Sequence, residues 1–457
     1  MLIFLKNIQF KVILISLFGL MSFTYCQDSV HSFQLSSNQI DNNYWWLTNN
    51  NNGKSIQNLE FDYNWKLKKE KTIYQINFSN AYKESNYVFT SAYNIVDKVS
   101  TKKDYYFGES FIKHSFSNNT FLRIGKYYRD FSQYLNDDLS SGSMLVSKNA
   151  QPMPKIGLVT SYTIKKNNNI TFDFGIAHGL FDTNNYYTKK APFLHEKFLY
   201  MHAKKNNRQL SLGFVHEAIW GGATQEYGSF PSKFEDFLKI LISSDGQYEG
   251  GPHANALGNH LGIWDFSYQK VMDKKKLKLY YQHFFEDTSS LRFANSIDGL
   301  WGIEMDNYIP NTTILIEYLD TSHAYDNPPY QADYYYWNYQ YRIGWRYRNN
   351  SIGNPFINPD NRLESIKLFH LGVSGLVNDS TYYKILLSKT KSRSLLELNS
   401  TAYEVISINK KIDIPTPTEF KILVGRKVSQ QFEINIFMVG NSDNYSVGLS
   451  TSYLIKK

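Results

Sequence analysis

The chain has 457 residues, 36 of them tyrosine, with 16% aromatics and a mean hydropathy of −0.44. Its formal charge of +8 suits an acidic polymer or lipid headgroups, but lysines and arginines never cluster, which excludes a nucleic-acid signature. A single cysteine, Cys26, excludes a disulfide-built scaffold and a cysteine-ligated metal site.

The first residues have the form of an export signal. Lys6 and Lys11 give a positive start, and Val12 to Met21 supply a short apolar core. Thr24 and Cys26 are small enough to precede a cut, which is expected between Cys26 and Gln27. Residues 1–26 are therefore expected to leave as a signal peptide, and 27–457 to form one domain. A lipoprotein cut before Cys26 is the competing arrangement; Tyr25 disfavours it, because lipid attachment takes a small residue there. Beyond this segment no apolar run reaches about eighteen residues, which excludes membrane-spanning helices.

After the signal the dominant pattern has period two. From Leu59 to Leu67 every odd position is apolar or aromatic and every even one polar, the mark of a strand with one greasy and one wet face. The same grammar recurs at Tyr74, Ile76 and Phe78, at Ile170 to Ile176, at Leu210 to Phe214 and at Leu277 to Phe285. From Trp337 to Tyr347 aromatic residues again take the odd positions, with Arg342 and Arg346 between them and Arg348 next. The last stretch sets Tyr445, Val447, Leu449, Tyr453 and Ile455 against Ser446, Gly448, Ser450 and Ser452.

Soluble sandwiches and propellers alternate too. Strands of ten or more residues, the export signal and a chain ending inside a strand favour the membrane alternative. The expectation is an all-β protein, a transmembrane antiparallel barrel of about eighteen strands in the outer membrane of a Gram-negative-type bacterium. Long connections are expected near 129–153, 179–193, 218–260, 286–298, 322–332 and 349–361. Within 218–260, Phe234, Phe237, Leu238 and Leu241 fall at helical spacing, which predicts a short helix serving as plug or rim element.

Several connections carry recognisable pieces. They are Ser141-Gly142-Ser143-Met144, then Ser147 to Pro154 with Asn149, Pro152 and Pro154, His195-Glu196-Lys197, His216, Trp220-Gly221-Gly222 and Gly258 to Gly262. In order and kind this resembles the Wzi-like capsule assembly family of outer-membrane proteins. The resemblance implies a barrel obstructed by loops and a helical element, acting as a lectin-like component that helps capsular polysaccharide stay attached. The chain departs from the pattern at its end, where Leu454 to Lys457 follow Tyr453 instead of a closing aromatic.

Candidate chemistry follows from the pattern. Arg342, Arg346 and Arg348 lie opposite the aromatic stripe and are expected in the lumen. There they either clamp carboxylates of an acidic polysaccharide or pair with acids such as Glu60 and Asp62. Trp220 can stack on a sugar ring or sit in an interfacial belt, the second being favoured at a strand end. His216 shares the Leu212/Phe214 face and is expected at the membrane interface. Ser141 to Pro154 is expected to form an ordered loop. His253 and His260 match no zinc spacing, and no Gly-x-Ser-x-Gly, His-Glu-x-x-His or phosphate-binding glycine loop occurs. No cofactor, metal or catalytic residue is expected.

The function expected is thus non-enzymatic binding of surface or capsular polysaccharide, with a porin-like diffusion channel as the alternative. The partners expected are that polysaccharide, outer-membrane lipid and the barrel assembly machinery, but no nucleic acid.

Overall fold

In the computed structural model the alternating segments pair neighbour to neighbour, antiparallel, from Ser29–Asn38 round to Tyr445–Lys456. Those two strands also pair with each other, His31 opposite Ile455, so the sheet closes on itself. Its twenty strand segments make a wall of eighteen. Lys103–Phe107 and Ser110–Ser115 are two halves of one wall strand, both paired with Thr72–Tyr82. Glu404–Asp413 pairs only with the far end of Thr381–Thr401, whose near end carries the wall on to Thr418–Lys427. The structure describes residues 29–456 apart from 39–43, 55–58, 83–86, 91–95, 100–102, 166–168, 245–255, 325–334, 361–363, 402–403 and the single positions 185, 188, 287 and 296. The expected signal peptide with its cut, and His253, lie outside the described residues.

The two faces divide as the period of two dictates. Tyr445, Val447, Leu449 and Tyr453 are exposed on the outside, while Ser450 is buried. Ile76, Ile124, Leu199, Leu210, Ile303 and Ile436 continue the same outer belt around the wall. A closed sheet leaves no backbone group unpaired, so such a belt can face hydrocarbon.

Short turns at Glu70, Ser117, Asn206, Asp273, Tyr308, Asp379 and Ser429 gather at one rim, together with both ends of the wall. Bacterial barrels keep short turns on the periplasmic side, so the long connections at the other rim face outward.

The described parts of three of those connections, 44–54, 128–152 and 335–360, turn back into the lumen and pack there. Trp46, Phe131, Leu139, Met144, Leu145, Tyr336, Tyr341, Trp345 and Phe356 share one buried cluster with inward wall residues such as Leu194, Leu261 and Leu315. The lumen is therefore filled by an apolar core inside a polar shell.

One expectation is corrected here. Trp337–Tyr347 is not a wall strand; only Arg346–Tyr347 is extended, in a small hairpin with Asn350–Ser351. Its alternation reflects Tyr341, Trp345 and Tyr347 turned into the lumen core from a loop. The predicted connections near 322–332 and 349–361 are thus one. The predicted helix forms at Phe234–Ile242, and of its two expected places it takes the rim, packed on the outer face of the wall.

Candidate functional site

The loop 128–152 is built to seat in the lumen. Serine is short, so the backbone approaches the wall closely while each hydroxyl reaches a partner. Ser132 donates to Asp265 over 2.5 Å, Ser140 to Glu317 over 2.6 Å, and Ser143 to Gln282 over 3.1 Å. The Ser141 N–H donates to the second oxygen of Glu317 at 2.6 Å, and Tyr280 also donates to that carboxylate. Within the loop, Arg129 donates to Val146 O and Asp137.

The same loop is locked to the other two. Ser147 donates to Gly353 O over 2.7 Å, and the Trp345 indole donates to Leu145 O over the same distance. Asn149 accepts from the Asn50 N–H and donates to Ser351 O. Gly142 has φ +121°, and a Cβ there would stand 2.9 Å from Pro355, so the loop crossing requires glycine. Pro152 is buried where the loop re-enters the wall, and Pro154 pairs opposite Lys126. Ser141, Gly142, Ser143, Asn149 and Pro152 thus belong to the loop that closes the lumen, while Pro154 opens the wall strand that follows.

The three arginines stand around the outward mouth, each held by an acid other than Glu60 or Asp62. Arg342 pairs with Glu226 at 2.7 Å and lies over the Tyr227 ring. Arg346 grips Asp360 with both terminal nitrogens at 2.5 and 2.6 Å. Arg348 pairs with Asp182 at 2.5 Å; burial works against its charge, and Asp182 more than restores it, raising its pKa. Glu60 and Asp62 instead hold Lys54, from the first inward loop.

Beside Arg346 opens a cleft of about 220 Å³. Trp45, Asn49, Asn149, Asn349, Asn350, Asn358 and Arg393 also line it. Trp45 stacks on Phe356 with ring centroids 3.8 Å apart. Arg393 donates to Phe356 O and pairs with Glu364 at 2.9 Å. The Nε atoms of Arg346 and Arg393 have no partner among the described residues. A flat indole, amide groups that donate and accept, and two guanidinium groups suit a hydroxyl-rich ring with or without a carboxylate. Of this set, sequence reasoning singled out only Arg346 and Asn149. Trp45, Asn358 and Arg393 come from three separate elements, and no local pattern joins them.

Trp220 and His216 stand elsewhere. Both lie on the outer face, under the helix Phe234–Ile242. His216 bonds His260 at 2.9 Å, and Trp220 packs on Phe193. Trp220 is therefore not part of the mouth. Gly221 and Gly222, at φ +64° and +84°, turn the chain off the strand against Pro192 and Phe193.

On the periplasmic side a vestibule of about 680 Å³ ends on the loop residues Asp130 to Asp138. At the outward rim Asp298, Asp320 and His323 bring possible metal-binding atoms within 4.8 Å of one another. Their groups are already engaged: Asp298 by Tyr335 and His323, Asp320 by Ser322 and Lys367. Burial pushes the Asp298 carboxyl up to about 6, against the hydrogen bonds from Tyr335 and His323.

Comparison with known proteins agrees with this architecture. The family model described as capsule assembly protein Wzi matches residues 28–365. The fold is similar to that of Wzi of Escherichia coli, described as an outer-membrane, carbohydrate-binding β-barrel involved in group 1 capsule assembly. There the TM-score is 0.57 at 13% identity, covering 94% of this chain and 85% of that one. OccAB4 of Acinetobacter baumannii gives 0.41 at 10% identity, covering 95% and 99%. OmpT of Vibrio cholerae, in its loop-deleted form, gives 0.33 at 8% identity, covering 93% and 97%. No curated protein sequence matches the chain. With a filled eighteen-stranded wall and a family match over most of its length, the chain belongs to the Wzi capsule assembly family.

Proposed function

We propose that this barrel binds surface polysaccharide at its outward mouth and helps hold it to the cell, without catalysis. The observation that carries the proposal is the cleft between Trp45, Arg346 and Arg393, which opens beside a lumen closed by three interlocked loops. Arg346 and Arg393 are its donors for an acidic sugar, with Trp45 as the flat wall. Arg342 and Arg348 extend the basic rim on either side. The wall is inserted by the barrel assembly machinery, and its outer belt contacts outer-membrane lipid.

Binding of the purified protein to an acidic polysaccharide tests this directly. Replacing Arg346 and Arg393 together with glutamine should weaken it about a hundredfold, the loss of two charge-assisted contacts at about 1.5 kcal/mol each. Unchanged binding removes the cleft from the proposal. In the host, loss of the protein should leave polysaccharide made but shed into the medium. A diffusion channel is the competing reading, and it requires steady conductance in planar bilayers. The loop seated across the lumen, on which the periplasmic vestibule ends, argues against it.

A further inference from the structure

The helix Phe234–Ile242 is apolar on two faces. One face meets the wall: Ile240 is fully buried against Ala218 and Trp220, and Phe237 lies 4.8 Å from the His178 ring. Lys197, from the wall, donates to Leu241 O at the end of the helix. The other face carries Phe234, Leu238 and Ile242, which point away from the protein and are 73%, 45% and 73% exposed. Spaced four apart, they form one stripe. In water such a stripe would be a liability. Here it continues the outer belt, to which Leu180, at the outward end of its strand, also belongs.

Between the start of the helix and the wall runs a groove of about 370 Å³. Phe193, Trp220, Phe234 and Phe237 make it mostly apolar, and His178, Ser232 and Lys233 line it too. Trp220 is 8% exposed, and its indole N–H has no partner among the described residues. Lys190 reaches the same edge, bonded to Ser232 at 2.7 Å. Of the two acids in the first turn, Asp236 accepts from the Lys233 N–H and Glu235 is exposed. A mostly apolar slot on the outer face, with Lys190 and Lys233 beside it, matches an acyl chain with an anionic head.

We infer that the helix and groove form a binding site for a phosphorylated, acylated glycolipid of the outer leaflet. One acyl chain lies in the groove between Phe193 and Phe237, and a phosphate meets Lys190 and Lys233. This goes beyond polysaccharide binding at the mouth and does not depend on it.

The test uses the full chain in lipid nanodiscs. A spin label at Leu238→Cys, in a Cys26→Ser background, should be more accessible to oxygen than to a water-soluble nickel chelate. Greater accessibility to the chelate places the stripe in water and overturns the site. Native mass spectrometry with purified lipopolysaccharide, and phosphatidylethanolamine as the second probe, reads the head. Replacing Lys190 and Lys233 with glutamine should lower lipopolysaccharide retention about thirtyfold, from two lysine–phosphate contacts, and leave phosphatidylethanolamine unaffected. Equal retention by wild type and variant overturns the assignment. Unchanged heat-dependent migration on gels shows that the variant wall is folded, and unchanged polysaccharide binding separates this outcome from failure of the mouth.

Discussion

Glu317 is the peg on which the lumen loop hangs, and replacing it with alanine should unseat that loop without breaking the wall. The carboxylate accepts from Ser140 Oγ, from the Ser141 N–H and from Tyr280, and it is almost fully buried. Hydrogen bonds to a charged group are worth about 1.5–3 kcal/mol each. Only the bonds from Ser140 and Ser141 tie the loop to the wall, since Tyr280 is itself a wall residue; at the low end for each, about 3 kcal/mol is lost from the seated loop. That raises the population of the unseated loop on the order of a hundredfold, at about 1.36 kcal/mol per decade. Planar-bilayer recording reads the change: the wild type should stay closed, and Glu317→Ala should show repeated openings. Glu317→Gln, which keeps an acceptor in place, should fall between them. A closed Glu317→Ala barrel whose loop resists protease as well as the wild type does would refute the peg.

The Asp298 carboxyl should make the outward rim pH-sensitive. Its folded pKa of about 6 lies above the ordinary carboxylate value, so the folded rim holds its proton more tightly than the unfolded chain does. The stabilisation is full below about pH 4 and lost as pH rises through 6, by at most about 3 kcal/mol. Hydrogen exchange at the His323 amide, which donates to Asp298, should show protection falling between pH 5 and 7 beyond the intrinsic trend. The fall should vanish in Asp298→Asn, and its persistence there would assign the effect to another group. Gly222→Ala forces φ +84° on a residue with a Cβ, placed 3.0 Å from Pro192. It should cost about 1–2 kcal/mol, read as a lower temperature for gel unfolding; no shift would mean that the turn relaxes freely.

The wall was legible in the sequence wherever one face meets lipid. Leu59–Lys69 and Tyr445–Lys456 form where the alternation places them; Tyr445, Val447, Leu449 and Tyr453 are exposed on the outside, while in Leu59–Lys69 the apolar side is half-buried to buried, Tyr63 and Leu67 included. The same rule misread Trp337–Tyr347. Alternation records one-sided burial, and a loop pressed into the lumen core is buried on one side as surely as a strand. The helix was legible from its spacing, but its place was not. An apolar stripe does not say whether it will meet a lumen or an outer wall, and Ile240, its most buried residue, stood outside the stripe read from the sequence. Which rim faces outward became readable only when the short turns were seen together. The mouth was the least legible part. Arg346 and Asn149 carried local signals, whereas Trp45 and Arg393 are joined to them only by the closing of the wall.

The anchors of the lumen loop also set an order in time. Ser132 waits for Asp265, 133 residues later; Ser143 waits 139 residues for Gln282, and Ser140 waits 177 for Glu317. Leu139 O waits 231 residues for His370. Contacts this distant in sequence come with a large loop-closure cost and form late. The loop is synthesised early, and its serines must stay hydrated until most of the wall exists. Sealing the seam between Ser29–Asn38 and Tyr445–Lys456 and stopping the lumen therefore belong to one late stage of maturation, so the protein reaches the membrane as a cup that corks itself while it closes.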